Sequence, residues 1–194
     1  MPETIRDGRG RGTLAAVNID NQLVTRAVAV EQRLKSAIDL HYFEATTGQI
    51  TLTDATETGI IYLKNETTDG KVIVIDRSFW DTWTSTGGSG EDGVLRYYKN
   101  PTVTGGTTIV PVNTNFVSIR EAEGTFKKSL TTMTGTEWWT GYITDKTSIA
   151  LEEGRIIVPS GNSFGISIAA PTGNTNMIVS INVAFYYFDT ELVN

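Results

Sequence analysis

The amino-acid sequence predicts an all-β domain, an antiparallel, jelly-roll-like β-sandwich with an extended N-terminal arm and one short helix. Three observations predict it. In the stretch from Met177 to Tyr187 every odd position (Met177, Val179, Ile181, Val183, Phe185, Tyr187) is large and apolar, while Ser180, Asn182 and Ala184 lie between them. Such a period of two fits an extended strand with one buried face. The run before it repeats the pattern, with Phe164, Ile166, Ile168 and Ala170 alternating with Gly165, Ser167 and Ala169. Elsewhere, short extended segments recur about every ten residues between Thr/Gly/Asn turns, the spacing of a sandwich or barrel.

Residues 1–13 (MPETIRDGRGRGT) are small, charged and glycine-rich, with little to bury, and predict a flexible arm. Leu14, Val17, Ile19 and Leu23 are spaced around an Asp20-Asn21 turn signal. The one helical pattern is Ala27 to Ile38, where Val30, Leu34 and Ile38 recur every four residues. A helix this short is marginal alone and needs a surface to pack on. We therefore divide the chain into an arm with its helix, 1–36, and a β-domain, 37–194.

The β-domain opens with extended runs at His41–Ala45, Gln49–Thr53 and Ile60–Lys64. Lys71–Ile75 is apolar on both faces, as a central strand should be. Thr84–Gly93 holds four glycines in ten residues and reads as a loop. Val94–Lys99 is a strand closed by Asn100-Pro101. Thr107–Ile119 contains Pro111 and so predicts an edge strand or two short ones. Phe126–Met133 is extended, and Thr134–Asp145, with the pair Trp138-Trp139, reads as an irregular loop. Pro171 to Asn176 is a turn between the last two strands.

Composition narrows the chemistry. The chain has no cysteine and one histidine, so a disulfide framework is impossible and a zinc site is not expected. No cofactor is expected. The net charge is −6, unevenly spread. Residues 1–36 carry six basic side chains (Arg6, Arg9, Arg11, Arg26, Arg33, Lys35) against four acidic ones, whereas the rest carries ten against eighteen. A basic arm on an acidic body is an asymmetry suited to a protein partner, and no nucleic-acid or membrane partner is expected. Neither a signal peptide nor a membrane-length apolar run is evident, so synthesis in a reducing cytoplasm is expected.

Catalysis needs a constellation, and none is legible. Glu121/Glu123 and Glu152/Glu153 are carboxylate pairs of the kind used on glycosidic bonds, but Glu152/Glu153, before Gly154-Arg155, reads as a solvated turn. His41, alone in a strand-like run, reads as a surface or interface residue. The chain is expected not to be an enzyme. Neighbouring residues of an extended chain face opposite ways, so Trp138 and Trp139 cannot both enter one core. An interface use fits them, since tryptophan buries much area with few rotors. Arg6, Arg9, Arg11, Arg26, Arg33, Lys35, Trp138 and Trp139 are the candidate partner-binding residues. A sugar-stacking platform is the competing use of the tryptophans, weakened because no cluster of Asn, Asp and Arg ring-edge partners accompanies them in sequence.

Several short pieces, ordered along the whole chain, carry a family likeness: Gly10–Leu23 (GRGTLAAVNIDNQL), Thr47–Thr53, Ile61–Asn65, Ser85–Gly90 and Lys99–Thr102, then Val112–Phe116, Glu123-Gly124, Val158–Ile166 and Pro171–Thr175. By their order the chain resembles the small auxiliary, decoration or cement proteins of tailed-bacteriophage heads. Each piece is turn chemistry beside an apolar strand. The resemblance implies a jelly-roll-like sandwich located in the virion, a homo-oligomer, expected to be a trimer, seated on the major capsid protein or another virion lattice protein. The chain departs from that pattern around 134–145, where the Trp pair replaces a glycine-rich insert. The alternative reading is a carbohydrate- or receptor-binding module of a tail fibre or baseplate.

Overall fold

The structure, a computed structural model, describes residues 5–6, 14–15, 41–53, 55–84, 93–143, 148–151, 156–170 and 177–189. Its contacts divide the chain into two units, Met1–Glu31 and Gln32–Asn194. In the first, β1 (Ile5–Arg6) pairs antiparallel with β2 (Leu14–Ala15). The expected helix at 27–38 lies outside the described residues, and no helix occurs among those described.

The second unit is antiparallel β-structure. Its strands are β3 (Tyr42–Thr46), β4 (Ile50–Thr51), β5 (Glu57–Asn65), β6 (Val72–Thr84), β7 (Gly93–Thr108) and β8 (Val112–Asn113). Then come β9 (Gly124–Ile143), β10 (Ser148–Leu151), β11 (Ile156–Val158), β12 (Ser163–Ala169) and β13 (Met177–Phe188). Among the described residues one sheet holds seven strands. β13 and β6 lie side by side at its centre; β10 and β11 flank β6, while β3 and β4 flank β13, with β8 beyond β3. The other four strands close a circuit, β12-β5-β9-β7. The long β7–β9 ribbon makes closure possible: β9 pairs β5 over its first third and β7 along most of its length.

One apolar core draws on both groups of strands. Every odd residue of β13 from Met177 to Tyr187 enters it, as do Phe164, Ile166 and Ile168 of β12. The alternation in the sequence is therefore the core-facing pattern. β12 and β13 are not paired with each other, however. They belong to different groups of strands and meet through the core, where Phe185 of β13 stacks on Phe126 of β9 at 5.2 Å and on Phe43 of β3 at 5.7 Å.

The second face of β12 is not solvated. Its small residues line the inside of the four-strand circuit, beside a cluster of Tyr62, Tyr98, Leu130 and Met133. Glycine is required there: a Cβ at Gly165 would sit 2.7 Å from Met133 Sδ, and one at Gly59 would sit 2.8 Å from Leu130 Cβ.

β6 is central and apolar on both faces, as its sequence suggests. Ile73 and Ile75 enter the main core, while Val72 and Val74 join Tyr42, Ala184 and Tyr186 on the opposite face. Further along, the core residue is Trp80, which has the other parity. The register shift opposite Ala184/Phe185 explains the switch: Asp76 is an extra residue, and one extra residue turns a strand over.

Two segments differ from the sequence reading. Asn100-Pro101 does not end a strand; β7 continues through it, because Asn100 takes a positive φ (49°) and the register shifts there. Proline has no N–H to contribute, and such a bulge is where a strand tolerates it. Thr134–Ile143 is not a loop either. It is the second half of β9, hydrogen-bonded to β7.

Candidate functional site

Trp138 and Trp139 sit on this second half of β9. Trp139 pairs with Tyr97 and Glu137 with Tyr98, so Trp138 is the extra residue of a β-bulge. The bulge breaks the alternation that would send adjacent rings to opposite faces. Both indoles reach the same side chain, with Trp138 5.7 Å and Trp139 4.9 Å from the Tyr97 ring centre. Tyr97 is buried; it stacks on Trp80 at 6.1 Å and meets Phe164 edge-on at 5.5 Å. An aromatic chain thus runs from the core to the surface, where Trp138 is 49% and Trp139 38% exposed. Gly141 allows the Trp139 ring to lie over the strand, since a Cβ there would collide with it.

Trp138 forms part of a cleft of about 310 Å³ between β7, β9, β11 and the start of β12. Its apolar lining includes Ile156, Val158 and Phe164, and its polar lining Lys99, Asn100, Asn162 and Ser163. The two amides are held in place. Asn100 Nδ2 donates to Asn162 Oδ1 (2.9 Å), Asn100 Oδ1 accepts from the Ser163 N–H (2.8 Å), and Asn162 Nδ2 donates to the Ser160 carbonyl (3.2 Å). These residues lie 62 positions apart in sequence, which is why no amide partner of the tryptophan was legible there.

A second surface feature was missed in the sequence. Around β8, Val110, Val112, Phe116, Val117 and Ile119 are 77%, 64%, 100%, 90% and 99% exposed. The signal was present as five apolar residues among Pro111, Asn113 and Asn115. Turn residues at that density leave no regular face to bury, yet the apolar groups remain. Asn113 and Asn115 fold the segment locally, accepting from the N–H groups of Asn115 and Val117.

Of the basic candidates, Arg6 lies in β1, and Arg9, Arg11, Arg26, Arg33 and Lys35 lie outside the described residues. Glu152 and Glu153 do too. Glu123 is an exposed partner of Arg120 (3.3 Å), whose guanidinium also approaches His41 Nε2 at 3.2 Å. Glu57 is embedded in a polar network. It accepts from Tyr98 Oη (2.8 Å), Ser167 Oγ and Arg96 Nη1 (3.0 Å), and Arg96 continues to Glu137 at 3.4 Å. Burial, and then the bond to Glu57, push the Tyr98 hydroxyl above the usual tyrosine range. With its ion pair and donors committed in this way, Glu57 ties β5, β7 and β12 together. Among the described residues no group of three or more His, Asp or Glu side chains is placed to hold a metal ion.

No protein-family model matches the chain, and a search of curated proteins finds no significant match.

Proposed function

We propose that this chain is a non-enzymatic structural protein of a tailed-phage virion, a decoration or cement protein that binds and stabilises the head lattice as an oligomer. In this reading the two groups of strands form a jelly-roll-like sandwich, and residues 1–36 act as a basic arm. The observation that carries it is the exposed apolar segment around β8. A single copy in water would leave Phe116 and Ile119 fully solvated, whereas burying one such side chain is worth ~1.5–3 kcal/mol. Patches of this kind mark protein–protein contacts. The aromatic pair Trp138/Trp139 offers a second contact of the same chemistry. The assembly is a homotrimer, the state the phage-head resemblance implies, and closed rotational symmetry satisfies such patches without unlimited growth.

Sedimentation of the full chain tests this. Three times the 21.2 kDa chain mass is expected for the wild type, and a shift towards one chain mass for Phe116→Glu/Ile119→Glu. A wild-type monomer at micromolar concentration that also fails to bind virion particles would overturn the reading. Deleting residues 1–13 should leave the melting temperature nearly unchanged and weaken binding to the particle.

A further inference from the structure

The cleft beside Trp138 shares only that ring with the reading above. We propose that it binds a pyranose ring of a surface saccharide. Three features point to this ligand class. An aromatic wall is present: the half-exposed Trp138 indole is braced from below by buried Tyr97, so its position does not depend on the ligand. Sugars place C–H groups on one ring face, and an indole is the side chain best suited to pack against them. Next to it stand two amides whose orientation is fixed by mutual and backbone bonds. Each amide carries two N–H donors and commits one to the clamp, which leaves a donor on each for ligand hydroxyls. Finally, the cleft is small. Its volume of about 310 Å³ lies at the low end of the ~300–1,000 Å³ usual for small-molecule sites, fit for one ring rather than a peptide or a nucleotide.

The clamp is tied to the backbone geometry of the β7 bulge. Asn100 holds a positive φ of 49°, and its side-chain oxygen caps the first N–H of β12. Asparagine tolerates that conformation, and a short polar side chain can bond locally from it. The same residue that turns the chain at the β7 bulge therefore presents its amide to the cleft. A polar ligand in such a site replaces ordered water while keeping its hydrogen bonds. Acidic side chains are absent from the lining, so neutral and carboxylated rings are both admitted.

The test is titration of the full chain with glucose, galactose, N-acetylglucosamine and glucuronate, followed by the indole N–H resonances and tryptophan fluorescence. At least one of these sugars is expected to shift the Trp138 indole signal saturably, with Kd in the range of ~0.1–10 mM. Trp138→Ala abolishes the response, and Asn162→Ala weakens it up to about tenfold, the worth of one or two lost hydrogen bonds. Trp139→Phe, outside the cleft, leaves the affinity unchanged. No saturable shift with any of the four sugars up to about 50 mM overturns the proposal. So does binding that survives Trp138→Ala in a variant that retains the wild-type melting temperature. Because the readout is independent of oligomer mass, it fails or succeeds separately from the lattice-binding reading.

Discussion

Substituting Gly165 by alanine tests whether the four-strand circuit is closed and filled. If the small face of β12 met solvent, the change would stabilise the protein by about 0.5–1 kcal/mol, because glycine loses more backbone freedom on folding. The structure reverses the sign. The added methyl would lie 2.7 Å from Met133 Sδ, 2.9 Å from Met133 Cε and 2.9 Å from Pro101 Cγ, where ~3.5–4.0 Å is comfortable. Methionine can swing aside, but Pro101 is fixed in the β7 bulge. Overpacking of this size costs about 1–3 kcal/mol, so the net loss should be ~0.5–2 kcal/mol. In a Met133→Ala background much of the clash is gone and part of a cavity awaits filling. The same substitution should then cost less, because only the Pro101 contact remains, a coupling of ~1 kcal/mol between the two sites. Urea denaturation of the four proteins measures it, provided the slope with denaturant stays constant. A stabilised Gly165→Ala single mutant would show that β12 does not face Met133, and the circuit would be wrong.

Asn65 should be among the polar residues most sensitive to truncation. It is fully buried, donates to the carbonyls of Lys71 and Val158 (both 2.9 Å) and accepts from the Thr67 N–H (3.1 Å), so Asn65→Ala should cost ~2–4 kcal/mol, read as a lower denaturation midpoint. Stability should also fall in alkali. Burial raises the hydroxyls of Tyr42 and Tyr187 above the usual tyrosine value, with Asp76 adding to the effect at Tyr42. The folded state therefore keeps protons that the unfolded state releases. Their stabilisation is complete below the unfolded value of about 10 and is lost above it, at ~1.4 kcal/mol per pH unit for each tyrosine. Midpoints measured from about pH 9 to 12 should bend towards this slope above about pH 10, and Tyr187→Phe should remove one tyrosine's share of it.

The strands were legible where parity is unbroken. β13 keeps one parity from Met177 to Tyr187, and each odd residue it names is in the core. What alternation cannot convey is the partner: the same signal fits a hairpin and the observed arrangement, in which β12 and β13 lie in separate groups of strands. Bulges hid the remainder. Asp76 turns β6 over, so Ile75 and Trp80 share a core despite opposite parity. Trp138 does the same in β9, where adjacent tryptophans carry the sequence signature of a loop. The cleft was hidden by distance along the chain, since Asn100 and Asn162 meet only after β7 and β12 pair.

The place of β13 bears on how the molecule comes into being. Among the described strands it is the last to be synthesised, yet it lies at the middle of its sheet, between β6 on one side and β3 and β4 on the other. Its partner Thr46 precedes Asn182 by well over a hundred residues. Until β13 emerges, β3 and β6 have no bridge between them, and the apolar faces that will form the core stay open. Ribosomal synthesis runs at ~5–20 residues per second, so that interval lasts roughly 7–30 seconds. Non-local pairings of this kind also put β-proteins at the slow, ms–s end of folding rates. A release or chaperone-holding step that spans synthesis of β3 through β13 would thus govern yield more than the stability of the finished sheet.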